Sequence, residues 1–217
     1  MKLIKIILVN LFNYGFLEYI KMSFYELVYL SKSEYRKHFF HDESITTNYE
    51  KINFKNQSLI FDGPYHPTPI YHLKLIEKVL KKIDLKSFTF IDFGCGAGRV
   101  TFFFRKMFKK IIGIDINQNY KKFFNEKIFF LKDIRKIQSL DDLSIIKDEN
   151  NFVLFFFRPI EDDSLFRIIE VFRKKKIYIV TINVKKNNSE KFYLVYEKYF
   201  AEPSRNIIIY SNFRSTK

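Results

Sequence analysis

Phe88-Thr89-Phe90-Ile91-Asp92-Phe93-Gly94-Cys95-Gly96-Ala97-Gly98-Arg99 decides the fold of this chain. An apolar run from Phe88 to Phe93 breaks into three glycines at alternate positions, then resumes as an amphipathic pattern from Arg99 to Phe108. The order reads as a buried strand, a tight turn and a helix. Glycine permits positive φ and lets a ligand approach the backbone. The helix that follows offers free N–H groups at its start. Such a unit builds a nucleotide-type cofactor site at the carboxyl edge of a parallel sheet.

The spacing narrows the cofactor. A dinucleotide fingerprint needs G-x-G-x-x-G, whereas this chain has Gly94-x-Gly96-x-Gly98, with Arg99 where the third dinucleotide glycine would fall. Gly113-Ile114-Asp115-Ile116 closes a second apolar strand. Asp115 follows the first glycine by about 20 residues, the interval of a ribose-binding carboxylate. The string Asp92-Phe93-Gly94-Cys95-Gly96-Ala97-Gly98-Arg99 resembles the first motif of the class I S-adenosylmethionine (SAM) dependent methyltransferases.

Downstream, the chain reads as alternating strands and helices. Helices are expected over 97–108, 117–126 and 161–172, and partly over 137–150, with Asn117 as a cap. Strands are expected at 110–115, 128–131, 152–157 and 177–182. The continuous apolar run Phe152 to Phe157 suits a central strand covered on both faces. Runs 192–200 and 206–213 flank Glu202-Pro203-Ser204-Arg205 and read as an antiparallel hairpin. Upstream, Asp62 to Pro69 is a turn cluster, and Thr68 followed by Pro69 is the pattern of a helix cap and first helical position.

The expected fold is therefore α/β: a Rossmann-like, mostly parallel sheet of about seven strands with a C-terminal hairpin. An N-terminal helical or irregular extension, 1–62, precedes a SAM-binding domain, 63–217. The resemblance covers about Tyr65 to Phe213. It implies that Gly94, Cys95, Gly96 and Gly98 approach the cofactor, and that Asp115, with Ile116 beside it, takes the ribose hydroxyls. It places Asp92 near the SAM amino group, Asp133 and Ile134 at the adenine, and Tyr65 and Thr68 around the methionine end. The plainer readings stand beside these: Thr68 as a cap, Asp133 as a solvated loop acid, and Cys95 as a small packing residue.

The fourth motif departs from the family's pattern. Many amine methyltransferases end this strand in Asn-Pro, whose side-chain oxygen accepts from the target amine. Here Phe157-Arg158-Pro159 stands at that point. Arginine is a permanent donor and cannot accept. Arg158 and Pro159 remain the residues expected at the methyl acceptor, with three readings open. Arg158 binds an anionic acceptor, the Phe157 carbonyl does the accepting, or catalysis has been lost and a non-catalytic SAM-binding or interaction protein remains.

Composition adds bounds. The chain has 38 Lys+Arg against 24 Asp+Glu, a formal charge of +14. Such a field attracts nucleic acid, anionic membrane or acidic partners, although the basic runs are short and scattered. A single cysteine, Cys95, excludes an internal disulfide and suits a cytoplasmic protein. The four histidines form no metal-ligand pattern with it. Near the N-terminus Ile6-Ile7-Leu8-Val9 is interrupted by Asn10 and Asn13 and has no small-residue cleavage site. No stretch reaches the roughly 20 apolar residues of a membrane span. An amphipathic helix is expected there, covering a domain face or lying on a membrane surface.

Overall fold

The computed structural model describes residues 2–36, 68–124, 128–157, 162–183, 192–202 and 205–214. Its strands are β1 (Thr89–Phe93), β2 (Lys110–Asp115), β3 (Phe129–Leu131), β4 (Asn151–Phe157), β5 (Lys176–Ile182), β6 (Tyr193–Tyr199) and β7 (Asn206–Ser211). They form one seven-stranded sheet in the order β3-β2-β1-β4-β5-β7-β6. Strands β3, β2, β1, β4 and β5 run parallel. The hairpin β6–β7 closes the sheet in the antiparallel sense. This is the mostly parallel, Rossmann-like sheet with a C-terminal hairpin that the sequence implies.

The central strands are apolar because both faces are covered. β1 and β7 are buried throughout, and β4 along all but its end residues. On one face Phe90, Val153, Phe155, Tyr178, Val180 and Ile209 share a core with the helices α4 (Ile70–Leu80) and α5 (Arg99–Phe104). On the other, Ile91, Phe93, Ile112, Leu154 and Phe156 pack with α6 (Asp162–Val171) and a short 3-10 segment, Leu140–Ile146. Phe93 and Phe156 stack at 4.7 Å with an interplanar angle of 1°. Each fully buried Phe contributes about 1.5–3 kcal/mol through apolar burial.

An outer helical pair lies over the first face. α1 (Lys2–Tyr14) and α2 (Phe16–Leu30) are separated by Gly15, and a four-residue helix, α3 (Ser33–Arg36), follows. Tyr14 and Tyr29 enter the core beside α4. The Asn13 carbonyl accepts from the Glu202 N–H at 2.9 Å, tying α1 to the hairpin turn.

Three local expectations are corrected. The helix after the glycine turn stops at Phe104, not Phe108. Three consecutive phenylalanines are modest helix formers, and the Arg105 guanidinium takes the Phe102 carbonyl at 2.7 Å. The segment after Asn117 is a 3-10 run, Gln118–Phe123, with Tyr120 its one buried residue. It lacks the apolar stripe that anchors an α-helix. Its cap is as expected: the Asn117 side chain accepts from Asn119 N–H at 3.0 Å. Thr68 does not cap α4. Pro69 holds the cap position with extended ψ, so the helix begins at Ile70, whose N–H is accepted by the Glu26 carboxylate of α2 at 2.8 Å.

Candidate functional site

The glycine turn lies where β1 ends and α5 begins, beside the carboxyl end of β2. Gly94, Gly96 and Gly98 all have positive φ. At Gly94 (φ +76) an added Cβ would meet nothing within 4 Å, so this part of the turn borders open space. At Gly98 (φ +79) a Cβ would lie 2.5 Å from the Phe124 ring. The first glycine thus faces outward, and the third is packed. The turn is pinned to β2 by two backbone bonds, from Gly94 N–H at 2.8 Å and Cys95 N–H at 3.1 Å to the Ile114 carbonyl.

Asp115 organises this edge. Its Oδ2 accepts from Gly96 N–H and its Oδ1 from Asn117 N–H, both at 2.9 Å. Desolvation raises its pKa to about 6, although the Asn117 and Gly96 N–H groups oppose that rise. The Ile116 N–H bonds this carboxylate as well, so of its roughly four acceptor sites one stays open to an incoming hydroxyl. Ile116 follows with an exposed side chain.

Asp92 sits lower in β1, between Gly113 of β2 and Phe155 of β4, and is 2% exposed. Among the described residues its Oδ2 is buried without a hydrogen-bond partner. Burial pushes its pKa well above the usual carboxylate range, and the nearby Asp115 adds to the rise. Burial thus favours the neutral acid, and a cation placed beside it would restore the carboxylate. Cys95 is buried, and burial with the two acids pushes its thiol pKa up. A thiol so placed is a packing group, not a nucleophile.

The remaining expected residues divide. Asp133 and Ile134 follow β3, beyond Asp115. Both Asp133 oxygens are engaged by Arg135, Nε on Oδ1 and Nη2 on Oδ2, each at 2.9 Å. Burial disfavours the ionised form of that carboxyl, but the Arg135 hydrogen bonds and charge outweigh it and hold its pKa below the usual range. Thr68 is buried, and its carbonyl accepts from Arg99 Nη1 at 3.2 Å. The same Nη1 lies 3.2 Å from both oxygens of Glu26. Arg99 is therefore a tie between the cofactor helix, the start of α4 and the outer helix α2. Tyr65, Arg158 and Pro159 lie outside the described residues.

One residue escaped the sequence reading. Asn183 directly follows β5, whose last residue, Ile182, pairs with Phe157 at the end of β4. Asn183 has φ +60, the one positive value at a non-glycine among the described residues. Among the described residues its side-chain oxygen and nitrogen are buried without partners. Asparagine enters this backbone region more readily than other non-glycine residues, so it is the unpartnered buried amide that marks the position. The available signal was an asparagine ending an apolar strand, Thr181-Ile182-Asn183.

No protein-family model matches the chain. No curated protein matches it either. Solved structures that resemble it include an Escherichia coli chain described as a candidate methyltransferase, at 11% identity and TM-score 0.48, covering 67% of this chain and 86% of that one. A Haemophilus influenzae chain described as a candidate methylase shows 13% identity and TM-score 0.48, covering 66% and 99%. The N-methyltransferase NodS of Bradyrhizobium japonicum shows 12% identity and TM-score 0.46, covering 66% and 94%. It is the strand order of the chain itself, with the glycine turn at the end of its central strand, that gives this protein a Rossmann-like fold, a mostly parallel seven-stranded sheet closed by an antiparallel hairpin.

Proposed function

We propose that this protein binds SAM at the carboxyl ends of β1 and β2 and transfers its methyl group to an acceptor. The observation that carries the reading is the Asp115 carboxylate, held by Gly96 N–H against a glycine turn that borders open space at Gly94. Asp115 would accept from a ribose hydroxyl at its remaining acceptor site. Gly94, Cys95, Gly96 and Gly98 would line the methionine and ribose portions. The unpartnered Asp92 oxygen suits the cofactor's ammonium, and exposed Ile116 offers an apolar face to the adenine. Asp133 and Ile134 would close the adenine edge, Asp133 by giving up part of its Arg135 contact. Thr68 and Tyr65 would bound the methionine end. In this reading residues 63–217 form the cofactor domain and 1–62 an extension of it.

SAM supplies an electrophilic methyl, so the protein's task is to orient an acceptor in line with it. Arg158 and Pro159 are proposed at the acceptor, with Arg158 able to hold an anionic group but not to accept from an amine. Asn183, alongside the end of β4, carries an amide oxygen suited to that accepting task. The reading without catalysis, as a SAM-binding or interaction protein, rests on the substitution of Arg158 for asparagine.

Calorimetric titration with SAM, S-adenosylhomocysteine and NAD tests the cofactor. The first two should bind and NAD should not; binding of NAD alone would overturn the assignment. Affinity for S-adenosylhomocysteine should weaken as pH falls through about 6, because a ribose hydroxyl donates to the ionised Asp115. Asp115→Asn should weaken binding by roughly tenfold, about 1.4 kcal/mol, and flatten that pH profile. Asn183→Ala should leave cofactor affinity in place and lower turnover, measured as S-adenosylhomocysteine release once an acceptor is in hand.

A further inference from the structure

Helix α2 is turned inside out relative to an ordinary surface helix. Its acids face the protein: Glu26 pairs with Arg99 and caps α4, and Glu18 accepts from Lys198 Nζ at 3.1 Å. Its opposite arc is exposed and apolar: Phe16, Leu17, Ile20, Phe24, Leu27 and Val28, with Phe24 61% and Leu27 68% exposed. At 100° per residue these six positions fall within about 120° of one another. The preceding helix continues the pattern with exposed Leu8, Val9 and Phe12, the last at 76%. Single exposed hydrophobics are ordinary, but a contiguous apolar face of this kind marks an interaction site.

Charge selects the occupant. The exposed arc of α2 carries no acid, because Glu18 and Glu26 are both directed inward. Lys21, exposed at the rim of the arc, pairs with Glu18 at 3.3 Å. Lys2 and Lys5 occupy the first two turns of α1, and Lys32, Glu34 and Arg36 follow α2, with Glu34 paired to Arg105 at 3.0 Å. The whole chain carries +14. A second copy would bring an equal charge against this one. Nucleic acid would present phosphates, which require cations, to an apolar surface. An anionic bilayer satisfies both features, with hydrocarbon for the phenylalanines and leucines and negative headgroups for the surrounding charge. Among the described residues no helix is long and apolar enough to cross a membrane, so the pair would lie on the surface.

We propose that α1 and α2 seat their exposed apolar face at the headgroup–acyl boundary of an anionic membrane. The proposal is independent of the cofactor assignment. The Glu26 contacts to Arg99 and Ile70 would then hold the cofactor edge at a set orientation to the bilayer.

Sedimentation of the full chain with vesicles tests this, using phosphatidylcholine alone and phosphatidylcholine with phosphatidylglycerol in equal parts, at about 0.15 M salt. The protein should pellet with the anionic vesicles, and the double substitution Leu17→Glu with Phe24→Glu should lower the partition coefficient by roughly tenfold or more. Its circular dichroism and melting should match the parent. As a second readout, Phe24→Trp places one tryptophan in a chain that has none. Its emission should shift to the blue on anionic vesicles and be quenched by brominated lipid. Failure to pellet, an undiminished partition of the double variant, or an unshifted emission would overturn the proposal. So would a parent dimer in light scattering that the double variant converts to monomer, which would assign the face to a second copy.

Discussion

The glycine-turn edge and the outer helical pair teach opposite lessons about how a sequence is read. At the edge, each side chain does what its local pattern announces. The apolar run is a buried strand, the glycines turn, and Asp115 ends the next strand facing the turn. In α2 the local pattern is ambiguous, since apolar residues occur nearly all round the helix. What settles its orientation is contact with distant segments: Met22, Tyr25 and Tyr29 pack on the core, and two distant cations hold its acids. Lys198 is 180 residues from Glu18, and Arg99 is 73 residues from Glu26. Carboxylates with buried or half-buried partners turn inward, and the leftover apolar arc faces out.

The largest effect should come from the strand side of this contrast. Phe90 is fully buried and packs against Phe104, Phe108 and Phe155. Phe90→Ala should destabilise the protein by about 3–5 kcal/mol in urea unfolding. A loss below about 1 kcal/mol would mean that the central strand is not the core it is taken to be.

Glu26→Ala breaks the tie between the two regions. It removes the pair with Arg99, whose side chain is 6% exposed, and the acceptor of the Ile70 N–H. About 1–3 kcal/mol should be lost, and Glu26→Gln should recover the part due to the Ile70 bond. Equal losses in both variants would show that charge, not the cap, carries the contact.

The smallest effect belongs to His72, at the seam. It is fully buried, stacked on Phe200 at 4.7 Å and tilted against Tyr14 of α1 at 5.5 Å. Among the described residues neither ring nitrogen has a hydrogen-bond partner. Burial pushes its pKa down to about 3. Its folded value lies below the unfolded one near 6.5, so the unfolded chain binds the proton first. Stability is complete above pH 6.5 and falls as pH drops from 6.5 towards 3. His72→Phe should preserve the stacking, raise stability at pH 7 by about 1 kcal/mol, and shallow that acid slope. An unchanged slope in thermal melts would remove His72 as the acid-sensitive group.

Much of the sheet was legible in advance. Strands such as Phe152 to Phe157 and Asn206 to Ser211 are short apolar runs, and the hairpin follows from two of them around a turn. Helix lengths were less so. Neither the early stop at Phe104 nor the 3-10 run after Asn117 is visible in periodicity alone. At the carboxyl edge the Asp115 carboxylate meets the glycine turn at Gly96, a contact between consecutive strand ends that short-range spacing makes legible. The Arg135 contacts of Asp133 and the unpartnered amide of Asn183 do not show in the sequence.

The chain's own residues determined the strand–turn–helix unit and the places of the strands along the chain, because glycine chemistry and apolar runs act over a few residues. Tertiary structure alone decided that Glu26 caps α4 while pairing Arg99, that Asn183 stands beside the end of β4, and which arc of α2 meets solvent. The reason is the range of the forces involved. A turn or a strand is selected by local sterics and burial, whereas the partner of a charge depends on where distant segments of the folded chain bring the opposite charge.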